Sequence, residues 1–137
     1  MFLFTYGTLM DHVIMDQVAG DRFASVTGVL HDHIRKRVDQ RVFPAIAPRA
    51  GFLVEGRMYS NVHQDAMNRL DRFEGELYQR TPVQVVIDDQ SIVEAYAYII
   101  RPEHEYLLSE DDWHLDNFKE KHRGHFKNVY EGFRQLD

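Results

Sequence analysis

Two short stretches carry residue types that can do chemistry. The first is "YGTL" at 6–9, which follows the apolar run "FLFTY" (2–6) and precedes "DHVIMDQVA" (11–19). A strand that ends in Tyr6-Gly7-Thr8 just ahead of a helix leaves successive backbone N–H groups without partners. Gly7 lets the chain turn and lets another group come close to the backbone. Together with Leu9 and the positive end of the helix, those donors would suit a carboxylate or a developing oxyanion. The same tetrapeptide also serves as a plain strand-to-helix turn. No G-x-x-x-x-G-K or G-x-G-x-x-G occurs, so it is not a nucleotide loop. The second stretch is "LDRFEGELYQR" (70–80), with Glu74 at the end of an amphipathic helix that Gly75 stops. The negative end of the helix and the apolar flanks Phe73 and Leu77 both raise the proton affinity of that carboxyl. That is the direction a general acid/base needs near neutral pH. Arg57, Arg72 or Arg80 could pair with Glu74 and cancel the effect, which would leave a surface ion pair.

Other chemistries find little support. The chain has no cysteine, which excludes disulfides, thiol catalysis and cysteine-based metal sites. "HDH" (31–33) and "HRGH" (122–125) lack further ligands at a recognisable metal spacing, so solvent-facing histidines are expected. No G-x-S-x-G is present to support a serine triad.

The elements that must position these groups follow from patterning. A short strand at 2–6 leads to a helix at 11–19, with Asp11 at its start and Gly20 as its stop. "FASVTGVL" (23–30) reads as a strand in which Gly28 marks a bulge or a close backbone approach. The polar, proline-containing stretch from 31 to 51 reads as irregular, with one short strand at 42–46, and "GFLVEGRMYS" (51–60) as a strand. In "NVHQDAMNRLDRF" (61–73), Val62, Ala66, Leu70 and Phe73 form one apolar stripe with Met67 beside it. "YQRTPVQVVI" (78–87) and "SIVEAYAYII" (91–100) read as a hairpin, and Ser109 with Asp112 as a capping box for a helix from Trp113 to Glu120. One further helical turn or two is expected at the end of the chain. The order of elements predicts a mixed α/β or α+β domain spanning 1–137.

Composition bounds the partners. With 137 residues, 44% hydrophobic content and a formal charge of −6, one folded domain is expected. The acidic balance argues against nucleic acid or an anionic membrane surface as partners. The four carboxylates of 109–117 followed by the basic 119–127 read as a solvated helical face. No signal peptide or membrane-spanning run is visible, so a cytoplasmic location is expected.

Taken in order, "FTYGTLM", "RVFPAIAP", "VEGRMYS" and "LDRFEGELYQRTPVQV" resemble the γ-glutamylcyclotransferase-like superfamily. The branch is the plant avirulence-induced-gene type with its bacterial relatives. The likeness runs from about Met1 to Ile100, and "WHLDNFKEKH" is similar to that branch's Trp-containing terminal helix. The resemblance implies an α+β fold, a small mixed β-barrel with helices outside and a cavity where the first strand ends. It implies that Tyr6, Gly7, Thr8 and Leu9 bind a γ-glutamyl group, largely through main-chain atoms, and that Glu74 is the catalytic acid/base. Tyr78 lines the pocket, and Arg80 is a pocket or structural residue. The implied reaction releases 5-oxoproline from a small-molecule γ-glutamyl substrate and needs no metal or organic cofactor. "MDHVIMDQ" replaces the basic, glycine-containing turn of some branches, and the insertions of glutathione-directed enzymes are missing. Isopeptides and glutathione are therefore not the favoured substrates. The alternatives are a transferase acting on another small amide and a non-catalytic binding module.

Overall fold

The computed structural model describes residues 1–88 and 90–115. Both expected helices are bounded by the caps the sequence carries. Helix α1 (His12–Ala19) starts where Asp11 Oδ1 accepts from the Val13 N–H at 3.0 Å and stops at Gly20, whose φ is 79°. Helix α2 (Gln64–Glu74) is capped by His63, whose Nδ1 accepts from the Ala66 N–H at 3.1 Å. It gives way at Gly75 (φ 71°).

Five strands close a barrel in the order β1-β3-β2-β4-β5. They are β1 (Leu3–Thr5), β2 (Ser25–Arg37), β3 (Pro44–Tyr59), β4 (Tyr78–Ile87) and β5 (Ile92–Ile100). All neighbours are antiparallel except β1 and β5, which run parallel and join Leu3 to Tyr96. Alternation along each strand divides the apolar residues into two groups. Phe4, Tyr6, Leu30, Ile46, Val54, Met58, Val85 and Ala97 fill the barrel. Leu3, Tyr59, Tyr98 and Ile100 pack instead with Ile14, Met15, Val18, Met67 and Leu70 of the two helices. The small mixed barrel with flanking helices is thus the architecture of the described residues.

Two expectations need correction. The stretch from 31 to 51 is not irregular: β2 runs on to Arg37, and β3 begins at Pro44 rather than at 51. The two strands pair from His33↔Pro48 to Arg37↔Pro44 beyond a register shift between His31 and His33. Asp32 sits in the shift with φ 60°, opposite residues 49–52 of β3, and this irregularity breaks the alternation that would have revealed the strand. Pro44 opens its strand, a place where the missing N–H costs no ladder bond. Of the two causes expected for Gly28, the close approach holds: it lies in continuous register opposite Gly56, without a bulge, and a Cβ there would stand 2.7 Å from Val85 Cγ1. Ser109 and Asp112 do not form a capping box. Ser109 Oγ donates to the Arg37 carbonyl at 2.7 Å, and Asp112 pairs with Lys36 at 2.6 Å. Residues 116–120 of the expected helix, the turns after it, and His122 and His125 lie outside the described residues.

Candidate functional site

The chain leaves β1 at Thr5, passes Tyr6 and Gly7, and tightens into a 3-10 turn over Thr8–Met10 before Asp11 starts α1. Two bonds close the turn: Met10 N–H to the Gly7 carbonyl at 3.0 Å and Asp11 N–H to the Thr8 carbonyl at 3.1 Å. The N–H groups of Gly7, Thr8 and Leu9 make no hydrogen bond among the described residues, although Thr8 and Leu9 are buried. Buried N–H groups are nearly always satisfied, so three in a row mark a place for an acceptor. The glycine has a second reason as well. A Cβ on Gly7 would fall 2.7 Å from Pro44 Cγ, so the close approach inferred from sequence is made by the Pro44 ring.

Glu74 is the last residue of α2 and retains partial surface exposure, while Tyr6 and Tyr78 are buried. Burial pushes its carboxyl up to about 8, and the negative charge of Asp71, one helical turn earlier, adds to the rise. None of the three candidate arginines pairs with Glu74 among the described residues. Arg80 Nε sits 3.1 Å from Asp71 Oδ1, Arg57 Nη1 donates to Ser25 Oγ at 2.9 Å, and Arg72 is exposed. The structure thus bears out the direction expected from sequence, with enclosure and Asp71 as its causes.

Tyrosines surround this carboxyl. Tyr6 and Tyr78 both have their hydroxyl proton affinities raised, first by burial and then by charges that include Glu74. Tyr78 also feels Tyr6, so Tyr6, Glu74 and Tyr78 lie within electrostatic reach of one another. The Tyr78 hydroxyl donates to the Pro44 carbonyl at 2.7 Å, and the Tyr6 hydroxyl donates to the Tyr98 carbonyl. Tyr98 itself donates to Asp71 Oδ1 at 2.7 Å, and Arg80 lies over the Tyr96 ring at 4.8 Å. Tyr6, Tyr78 and Glu74 thus lie near one another, and Gly7, Thr8 and Leu9 follow Tyr6 directly in the chain. Tyr6, Gly7, Thr8 and Leu9 come from the end of β1, Glu74 from α2, and Tyr78 and Arg80 from β4. Asp71 and Tyr98 were missed. Asp71 stands three residues before Glu74, the spacing of neighbours on one helix face, and that spacing could have found it. Tyr98 depends on the Arg80↔Tyr98 register of the β4–β5 pair, which the hairpin pattern alone does not reveal.

The raised Glu74 has a consequence for folding. Its folded value lies above the unfolded one, so the native state binds the extra proton between about 4.5 and 8. Stability contributed by the neutral form is present below pH 4.5 and is lost as pH rises through 8. Glu74→Gln, which is neutral throughout, should unfold at higher urea than wild type at pH 8, with the gap closing toward pH 5. Coincident midpoints at both pH values would show that the carboxyl is not held protonated.

A family model described as "Gamma-glutamyl cyclotransferase, AIG2-like" matches residues 3–115. Among curated relatives, "AIG2-like protein A" of Arabidopsis thaliana is 28% identical over 137 residues, covering 98% of this chain and 79% of the relative. A solution structure of an Arabidopsis thaliana protein superposes with a TM-score of 0.69 at 29% identity, covering 98% of this chain and 89% of that one. A solved "Gamma-glutamyl cyclotransferase" shares the fold, with a TM-score of 0.62 at 12% identity over 73% of this chain and 66% of that one.

Proposed function

The chain belongs to the γ-glutamyl cyclotransferase, AIG2-like family, and on that premise we propose that it cyclises a γ-glutamyl amine or γ-glutamyl peptide, with Glu74 as the acid/base. The observation that carries this reading is a carboxyl raised to about 8 within electrostatic reach of Tyr6 and Tyr78, where Tyr6 leads into a turn whose three N–H groups have no partner among the described residues. A module that only binds has no need of such a carboxyl. Arg80, whose pairing with Glu74 would have favoured that alternative, is held by Asp71 instead.

In this reaction the substrate's α-amine attacks its own γ-carbonyl carbon. The amine is protonated at neutral pH, so ionised Glu74 first takes a proton from it. The tetrahedral intermediate places its oxyanion against the N–H groups of Gly7, Thr8 and Leu9, donors that need no rearrangement. The ring nitrogen, cationic after the attack, gives up its second proton to solvent; Glu74 returns the first to the leaving nitrogen, the oxyanion re-forms the carbonyl as the C–N bond breaks, and 5-oxoproline and a free amine separate. The Tyr78 hydroxyl, committed as a donor to the Pro44 carbonyl, presents lone pairs that can accept from the substrate ammonium. Both reacting groups belong to one molecule, so holding the substrate folded supplies much of the acceleration.

The pH dependence tests the role. The rate constant kcat/KM should climb with unit slope to a limb near pH 8, where free Glu74 ionises. Asp71→Asn removes the neighbouring negative charge, so that limb should move to lower pH. A limb that stays in place in Asp71→Asn, or that lies near pH 4.5, would assign the ionisation to another group.

A further inference from the structure

The run Arg35-Lys36-Arg37 near the end of β2 carries three cations, and the segment 107–113 treats them unequally. Lys36 Nζ pairs with Asp112 at 2.6 Å and Arg37 Nη2 with Asp111 at 2.8 Å. Arg35 has no carboxylate within ion-pair distance among the described residues. Its Nη1 donates instead to two main-chain carbonyls, of Tyr6 at 2.8 Å and of Glu55 at 3.0 Å. Its Nε and Nη2 make no hydrogen bond among the described residues, and they are not among the enclosed polar atoms, so both can be reached from solvent.

The position is unusual for a cation. Beyond the bulge at Asp32, Arg35 stands opposite Ile46, and directly paired residues of antiparallel strands share a face. Ile46 belongs to the group that fills the barrel together with Phe4 and Tyr6. Arg35 thus takes a barrel-facing place at the end where Tyr6 and the turn lie. Burial weakens its hold on its proton, and the Trp113 ring lies 5.9 Å from the guanidinium carbon. Glu55 and Asp112 act on this half-buried guanidinium only from beyond ion-pair distance, and such a group is stabilised by an anion in direct contact. Arg35 reaches the Tyr6 carbonyl directly, and both Arg35 and Glu74 act electrostatically on the Tyr6 hydroxyl, so both lie close to Tyr6.

We infer that Arg35 is a substrate-binding residue that receives the α-carboxylate of the γ-glutamyl group through its free Nε and Nη2 edge. This deepens the proposed function and rests on it for the identity of the ligand. The α-carboxylate is the one anion every γ-glutamyl compound keeps, and it persists in 5-oxoproline. Held on the fork of Arg35, it fixes the neighbouring α-carbon and so aims the α-amine; the fork geometry suits a carboxylate better than a point charge does.

The test measures binding by calorimetry, separately from turnover, with 5-oxoproline and its neutral primary amide as probes. Wild type should bind the acid more tightly than the amide. Arg35→Met should weaken the acid about ten- to hundredfold and leave the amide unchanged, as expected for losing a charge-assisted hydrogen-bond pair. Arg35→Lys, which keeps the charge without the fork, should lie between, and it carries the test if Arg35→Met does not fold. Equal binding of acid and amide by wild type, or unaltered acid binding in the folded variants, overturns the assignment. A rise in KM confined to γ-glutamyl amino acids, with γ-glutamyl amines unaffected, also overturns it, because the carboxylate would then be that of the leaving group. Should wild type release no 5-oxoproline from any substrate yet keep an Arg35-dependent preference for the acid, the catalytic proposal fails and the carboxylate site stands.

Discussion

Glu74→Gln should fold, keep its affinity for γ-glutamyl compounds and lose about two to four orders of magnitude in 5-oxoproline release. The amide matches the carboxylate in shape but cannot take a proton, so both halves of the reaction stall at one atom. The surroundings favour a clean result. Glu74 makes no ion pair among the described residues, so exchanging it for a neutral group strands no arginine. Asp71 keeps its partners Tyr98 and Arg80, and the helix end keeps its stop at Gly75. The readout is kcat alongside a urea melt. A variant that retains more than about a tenth of wild-type kcat would remove Glu74 from the chemistry, since acid/base groups contribute at least about a hundredfold.

Gly56→Ala should be the most damaging single methyl group in the barrel. Gly56 lies opposite Gly28 in the β2–β3 ladder, and a Cβ on it would stand 2.2 Å from the Thr5 carbonyl oxygen and 2.6 Å from Phe4 Cζ. A side chain can move aside, but the Thr5 carbonyl belongs to β1. That strand is only three residues long, and it delivers Tyr6 and the turn to the site. The added atom must therefore push β1 out of register with β3 or spread the barrel. The expected cost is about 3 kcal/mol, at the upper end for overpacking, read as a lowered urea midpoint. Activity should fall more than the folded fraction does, because the displaced strand leads into the turn proposed to hold the oxyanion. A variant with wild-type stability would show that the β1–β3 contact is looser than these distances imply.

Sequence patterns reveal an element when its local signal and its environment agree. Helix α1 is legible because Asp11 and Gly20 supply both of its caps, and α2 because its apolar stripe has a single side to bury. The β4–β5 hairpin is legible from two apolar runs with a short polar turn between them. The long β2–β3 ladder is not. Past Asp32 its residues are mostly half-buried, so neither face reads as apolar, and the register shift swaps the faces partway along. That swap also hides Arg35. Counted from the apolar first half of β2, nothing marks position 35 as facing the barrel; only the register opposite Ile46 does.

The candidate site divides along the same line. Tyr6 to Leu9, Glu74 and Tyr78 sit in motifs whose local form already hints at exposed donors or a perturbed carboxyl. Asp71, Tyr98 and Arg35 act across elements, through a helix turn, a cross-strand pair and a bulge. The sequence argument for a raised Glu74 had the right direction, but its main cause is enclosure by residues distant in the chain. Phe73 and Leu77, the flanks proposed to desolvate it, are themselves only half-buried.

The most direct measurement is the product ratio from wild-type protein given a γ-glutamyl amine. Cyclisation predicts one 5-oxoproline for each amine released, with no glutamate. Release of glutamate in place of 5-oxoproline would mean that water, not the substrate's own amine, attacks the carbonyl. Release of neither product from any γ-glutamyl amine or peptide would contradict the proposed reaction altogether.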